Sequence, residues 1–187
     1  HRLLPMLPVD LGDYAYGQLQ NNAVQFRLGT KVVKVENHCV HFLHNQQLEQ
    51  FSANTIIWAV GVRGNFLARD LPDFDKRDRV IVNDDLTHPE FPNVFVLGDM
   101  AAIIDPQQGR PLPPTAQMAV AMGRACAGNL INIQRGQPIQ PFQFRPRGTL
   151  CSLGRKRAVG MLGPVSIKGY TAAVLKRTVE RGVAYTM

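Results

Sequence analysis

The chain has 187 residues, 45% hydrophobic and 19% charged, which suits one ordinary domain or two small ones and excludes a wholly disordered chain. Its best apolar run, Ile56 to Val62, is far short of the roughly 20 residues of a membrane-spanning helix, and Cys39, Cys126 and Cys151 lack the spacing of a zinc site or a disulfide framework. The net charge of +7 is local: residues 145–187 hold nine Lys or Arg against the single acid Glu180, whereas residues 1–144 sum to −1. A basic patch for anionic lipid, phosphate or nucleic acid is therefore expected in the last 43 residues, in a protein of a reducing compartment. The sequence opens on His1 without a signal peptide, so its ends are not read as natural termini.

In chain order, a short helix is expected from Leu11 to Asn21, followed by a β-meander. Lys31–Glu36 alternates in β fashion, with Val32, Val33 and Val35 apolar, and Cys39–Leu43 and Gln47–Phe51 follow across short polar turns. The run Ile56–Val60 reads as a strand buried on both faces that stops at Gly61, with Trp58 as core rather than ligand. Residues 63–79 are a charge-rich loop, expected to cross between domains. A short strand over Arg79–Val82 and a buried one over Asn93–Leu97 come next, the second stopping at Gly98-Asp99. After a Pro/Gly loop at 105–114, Thr115 opens a helix to about Ile133, rich in small residues and ended by Gly136–Pro141. From Gly169 a helix is expected with Ala172, Leu175, Val179 and Val183 in one stripe and Lys176, Arg177, Glu180 and Arg181 opposite.

Two places carry candidate chemistry. Gly98 lacks a side chain, so a phosphate can approach its backbone, and Asp99 can accept a hydrogen bond from a sugar-like hydroxyl; the same pair is also a common turn. Pro113-Pro114-Thr115-Ala116-Gln117 starts a helix whose free N–H groups and partial positive charge favour an anionic group, or form a helix start with no ligand. His38, His41 and His44 alternate faces in a strand region, so no metal site is expected. Cys126 reads as a buried thiol without chemistry.

The order TIIWAVGV, VIVNDDLTHPEFPNVFVLGDMA, GRPLPPTAQMA and PFQFRPRGTLCSLGRKRAVG resembles the C-terminal half of type II NADH dehydrogenase, the non-proton-pumping NADH:quinone oxidoreductase. That resemblance, which covers nearly the whole chain, implies an α/β fold: a Rossmann-like two-dinucleotide-binding-domain flavoprotein fragment with a β-meander and a C-terminal amphipathic helical region. It implies three parts: residues 1–64 from the NADH-binding domain, 65–140 from the returning FAD-binding domain, and 141–187 opening a membrane-associating region. The implied reaction is hydride transfer from NAD(P)H to FAD and on to a quinone, at the cytoplasmic side of a membrane, with a homodimer compatible and nucleic acid not expected. By resemblance, Gly98 and Asp99 match contacts to the FAD phosphate and ribityl chain. Ala116 and Gln117 match the helix start beneath the flavin ring, Gln117 also facing the quinone. Gly61 falls where nicotinamide meets flavin, and Arg147 at a basic position near the flavin.

Two departures qualify the resemblance. Where the family carries a second quinone-lining glutamine, this chain has Ala121, which makes that pocket more apolar or changes the acceptor. No GxGxxG occurs, so both phosphate-cradling loops are absent from these residues, and the chain by itself is not expected to hold FAD tightly or turn over. The rival enzyme reading is another NAD(P)H or sulfide reductase of the same superfamily, which redox-active cysteines would favour. The rival of another class is a non-catalytic basic binding module in residues 145–187, where only Tyr170 and Tyr185 are available for stacking.

Overall fold

The computed structural model describes residues 2–105, 109–146 and 148–184, the backbone alone over 182–184. Its contacts divide the chain into two units, His1–Trp58 with Arg147–Met187, and Ala59–Pro146.

The first unit contains two three-stranded antiparallel sheets. One is the expected meander, β1 (Lys31–Glu36), β2 (Cys39–His44) and β3 (Gln47–Ser52), in sequence order. Its two turns place Asn37, His38, Asn45 and Gln46 at φ of 42°, 63°, 48° and 66°, the left-handed pair that matches the twist of a tight hairpin. Asparagine tolerates that region, which is why these polar pairs end strands. Phe42 of β2 is the meander's buried residue, with the Arg27 guanidinium over its ring at 5.2 Å.

The second sheet is formed by β8 (Thr149–Ser152), β9 (Ala158–Leu162) and β10 (Val165–Gly169), with β9 central. Helix α1 (Val9–Gln20) packs Leu11 and Ala15 against Leu153 and Val159, while α3 (Tyr170–Ala184) packs Ala172 and Ala173 against Ala158. Neighbouring β9 side chains point to opposite faces, so the two helices cover opposite sides of this sheet.

In the second unit, β4 (Val80–Ile81) pairs in parallel with β5 (Ala101–Ala102), and β6 (Ile104–Asp105) pairs with β7 (Arg110–Pro111). Helix α2 (Ala116–Gln134) starts within a residue of its expected place and lays Met118 and Met122 on a core of Val80, Val82, Leu86, Val96 and Ala101.

Three expectations fail. Ile56–Val60 is not a strand: residues 56–62 make no backbone hydrogen bond among the described residues, and Ile57, Trp58 and Val60 are 84, 61 and 71% exposed. An apolar run records a preference for burial, but a strand also needs a neighbour for its N–H and C=O groups, and among the described residues none pairs with these. Trp58 is therefore not a core residue. The expected strand Asn93–Leu97 is not a regular one: Asn93 lies in a turn and the rest is only half paired, His88 N–H donating to the Val94 carbonyl and Val96 N–H to the Leu86 carbonyl; Val96 is buried while Val94 is exposed. On α3, Ala172 is buried and Leu175 half-buried, but Val179 is exposed and Lys176 is half-buried and ion-paired with Glu180. The exposed row is instead Tyr170, Val174, Arg177 and Arg181, at the spacing of one helix face. The sheet claimed the alanines because small side chains let helix and sheet approach closely. The side chain of Val183 lies outside the described residues.

Candidate functional site

The site lies in the second unit, where the chain leaves Leu97 and enters a tight turn, Gly98–Met100, packed against α2. Gly98 has φ of 62°, a left-handed conformation that glycine adopts without strain. A Cβ there would meet only the Ala119 Cβ, at an ordinary 3.6 Å, so the backbone angle and not crowding is what asks for glycine. The Gly98 N–H donates to Met122 Sδ at 3.1 Å, which seats the turn over the second turn of the helix. Asp99 projects from this turn as an exposed residue with no ion pair or side-chain hydrogen bond among the described residues.

The helix start is equally well defined. Thr115 is extended (φ −143°, ψ 152°) and its Oγ1 accepts from the Met118 N–H at 3.2 Å. Met118 faces the core while Ala116 and Gln117 are exposed and Ala121 is half-buried. The turn thus meets α2 at Ala119 and Met122, on the helix that Ala116 and Gln117 open and on which Ala121 lies in the second turn. The donor set suits a ligand with hydroxyls, at Asp99, and an electron-rich or anionic part, at the helix start. That is the character of FAD, and the residues present fit it.

Gly61 is exposed at φ of 97°, and no described hydrogen bond joins it to the Gly98 turn, though the Asn65 N–H donates to Met100 Sδ at 2.9 Å and so returns that segment to the turn. Arg147 lies outside the described residues.

Sequence reasoning missed what fixes the approach to α2. Arg79 and Asp75, 4 and 8% exposed, form a buried pair in which the guanidinium donates to Asp75 Oδ2 at 2.9 and 2.7 Å. Arg79 also donates to the Leu112 carbonyl at 3.2 Å, tying down the segment just before the helix. Burial alone would raise the Asp75 pKa, but the N–H groups of Arg79 and Arg77 and the Arg79 charge outweigh it and hold the carboxyl below its usual range. Asp75 falls in the charge-rich loop expected over residues 63–79 and Arg79 where that loop meets the expected strand Arg79–Val82, and an Asp four residues before an Arg carries no sequence mark of burial. Cys126 is buried, and desolvation raises its thiol pKa. The three histidines take separate partners: His38 the Asn54 carbonyl, His41 the Glu36 carboxylate and His44 the Thr30 hydroxyl.

Comparison with known proteins adds family context. The sequence profile of the pyridine nucleotide-disulphide oxidoreductases matches residues 1–123. A type II NADH:quinone oxidoreductase of Staphylococcus saprophyticus is 36% identical over 186 residues, covering 100% of this chain and 46% of the relative. A protein of the same name from Staphylococcus haemolyticus is 36% identical over 179 residues, covering 96% and 44%. The chain therefore spans about half the length of the curated relatives it matches. Among solved structures, NDH2 from Plasmodium falciparum in complex with NADH aligns at a TM-score of 0.84 with 17% identity, over 97% of this chain and 52% of that one. The sulfide:quinone oxidoreductase of Aquifex aeolicus aligns at 0.70 with 20% identity, over 93% and 44%. Both likenesses establish the fold.

Proposed function

The chain belongs to the pyridine nucleotide-disulphide oxidoreductase family, and from that footing we propose that it is part of an FAD-dependent enzyme that passes a hydride from NAD(P)H through FAD to a quinone. The observation that carries this reading is the packing of the Gly98–Met100 turn against α2, which seats the Gly98 backbone and the exposed Asp99 on the helix that Ala116 and Gln117 open. The staphylococcal relatives, named as NADH:quinone oxidoreductases and 36% identical, support the choice of donor and acceptor.

Bound FAD would supply the redox chemistry, taking up and releasing the hydride equivalent. The chain's own part is to bind and orient. Gly98 would leave its backbone open to a phosphate, and Asp99 would accept from a ribityl hydroxyl. The start of α2, at Ala116 and Gln117, would place its partial positive charge against the electron-rich edge of the ring. Gln117 and Ala121 would face the quinone, Gly61 would lie by the nicotinamide, and Arg147 would stand near the flavin. No side chain of the site is required as a general acid or base. In this reading residues 1–64 belong to the NADH-binding part, 65–140 to the FAD-binding part and 141–187 to a region that meets a membrane surface from the cytoplasmic side.

Protein purified from its native cells tests the reading. It should be yellow, carry FAD, and oxidise NADH only when a quinone is supplied. Protein without flavin would overturn the assignment, and reduction by sulfide in place of NADH would move it to a different enzyme of the same fold.

A further inference from the structure

Two thioether sulfurs hold the Gly98–Met100 turn, each by accepting a backbone N–H. The Gly98 N–H donates to Met122 Sδ at 3.1 Å and the Asn65 N–H to Met100 Sδ at 2.9 Å. Thioethers are weak acceptors, and they can be oxidised. Access separates the two sulfurs. Met122 is 1% exposed inside the core of the second unit, whereas Met100 is half-buried and packs against that core while still reaching solvent.

The Met100 contact joins the turn to a segment 35 residues earlier, the one that leads from Gly61. That segment has no slack on its other side. The Gly64 N–H donates to the Arg77 carbonyl at 2.8 Å, and a Cβ on Gly64 would come within 1.7 Å of the Asp78 carbonyl oxygen. Asn65 itself is fixed as the cap of a short helical turn, its Oδ1 accepting the Leu67 N–H at 3.0 Å. Asn65 therefore cannot follow the sulfur when Met100 moves.

A thioether sulfur has two lone pairs, and the Asn65 N–H occupies one. The other is open to an oxidant. We propose that Met100 is a site of reversible oxidation, at which hydrogen peroxide converts the thioether to the sulfoxide and releases residues 61–65 from the Gly98 turn. One peroxide oxygen passes to Sδ as the O–O bond breaks, the sulfur losing two electrons, and the other oxygen leaves as water. The oxidised sulfur carries partial positive charge and no longer accepts the Asn65 N–H. The new S=O dipole is costly against an apolar core, which draws the side chain out to water. A sulfoxide reductase restores the thioether, two thiols supplying the electrons and becoming a disulfide while the oxygen leaves as water. The release does not depend on the redox reading. Its consequence for turnover rests on that reading, in which Gly61 lies by the nicotinamide and Gly98 by the flavin: the two sides lose a tie, and hydride transfer from NADH slows.

Dilute hydrogen peroxide applied to the full chain tests the release. Peptide mass mapping should show one added oxygen on Met6, which is 74% exposed, and on Met100, well before Met118 or Met122. As Met100 oxidises, amide exchange at Asn65 should quicken about fivefold, the worth of one modest hydrogen bond, while exchange at Gly64 stays as it was. Sulfoxide reductase should reverse the change, and Met6→Leu, altered in the first unit, should leave it intact. In Met100→Leu the Asn65 amide should exchange fast from the start and ignore peroxide. In the flavin-loaded native protein, peroxide should slow NADH oxidation until the reductase is added, and Met100→Leu should lose that response. Met122 oxidised as early as Met100, or Met100 oxidised with Asn65 exchange unchanged, would overturn the release. Should Met100→Leu fail to fold, wild type with and without the reductase decides the matter. Native protein without flavin would remove the redox reading and leave the release standing, whereas unslowed NADH oxidation beside faster Asn65 exchange would overturn only the consequence for turnover.

Discussion

Asp99 and Asp75 are both aspartates of the second unit, and their surroundings give them opposite work. Asp99 is exposed with no described ion pair or side-chain hydrogen bond, so its carboxylate is available to a ligand. Asp99→Ala in the native protein should weaken FAD binding by about 1.5–3 kcal/mol, the worth of a charge-assisted hydrogen bond, with the fold intact. Flavin content and FAD affinity equal to wild type would remove Asp99 from the site. Asp75 is buried against Arg79, and its Asn replacement would leave a buried guanidinium half-satisfied, costing about 3–5 kcal/mol near neutral pH. Because the Asp75 pKa is lowered in the fold, its stabilisation is complete above the unfolded value of about 3.9 and is lost as pH falls through the folded value. Denaturation midpoints of wild type and Asp75→Asn should therefore differ most near pH 7 and converge below about pH 4. A difference independent of pH would mean that the hydrogen-bond shape, and not the charge, carries the effect.

The elements show which kinds of sequence signal survive folding. Asn37-His38 and Asn45-Gln46 were legible as hairpin ends because turn chemistry is local, needing only the φ that these residues tolerate. The start of α2 was legible for the same reason, with Thr115 as cap and the prolines before it. Gly98 and Asp99 could be singled out, yet the seating of their turn on α2 depends on the Gly98 N–H donating to the Met122 sulfur, which no local pattern encodes. Strands fared worse, since pairing is not local. Ile56–Val60 has the composition of a buried strand but no backbone partner among the described residues, so Ile57, Trp58 and Val60 stand exposed. Trp58 is the sole tryptophan, so it reports on this segment directly. Intrinsic fluorescence of the chain alone should be that of a largely hydrated indole, readily quenched by acrylamide. Joined to the part of a staphylococcal relative that this chain does not cover, the same indole should shift to the blue and become protected if that part supplies the missing neighbour. Trp58 shielded in the chain alone would contradict the exposed segment.

At the scale of the molecule, charge is segregated along the chain, −1 over residues 1–144 and +8 over 145–187, and the fold decides what that excess faces. No described helix is long and apolar enough to cross a membrane, and the membrane contact proposed for residues 141–187 would be made by α3. The expected apolar stripe of α3 cannot serve, because Ala172 and Leu175 are turned at least partly inward and Ala172 is buried against the helix's own sheet. The available face carries Tyr170 and Val174 with Arg177 and Arg181 beside them, a small apolar row with cations placed for headgroups. So short a row is a weak anchor by itself, and electrostatics must supply most of the attraction, about 1 kcal/mol for each cation near an anionic surface. The chain should therefore co-sediment with vesicles containing phosphatidylserine or phosphatidylglycerol, much less with phosphatidylcholine, and detach as salt is raised. Neutralising Arg177 and Arg181 together with glutamine should cost about 2 kcal/mol, on the order of thirtyfold in vesicle affinity. Tyr170→Ser should weaken binding more modestly and without changing its salt dependence, because it removes apolar area and no charge. Equal sedimentation with neutral and anionic vesicles would return α3 to a single task, covering the sheet on which Ala172 and Ala173 already rest.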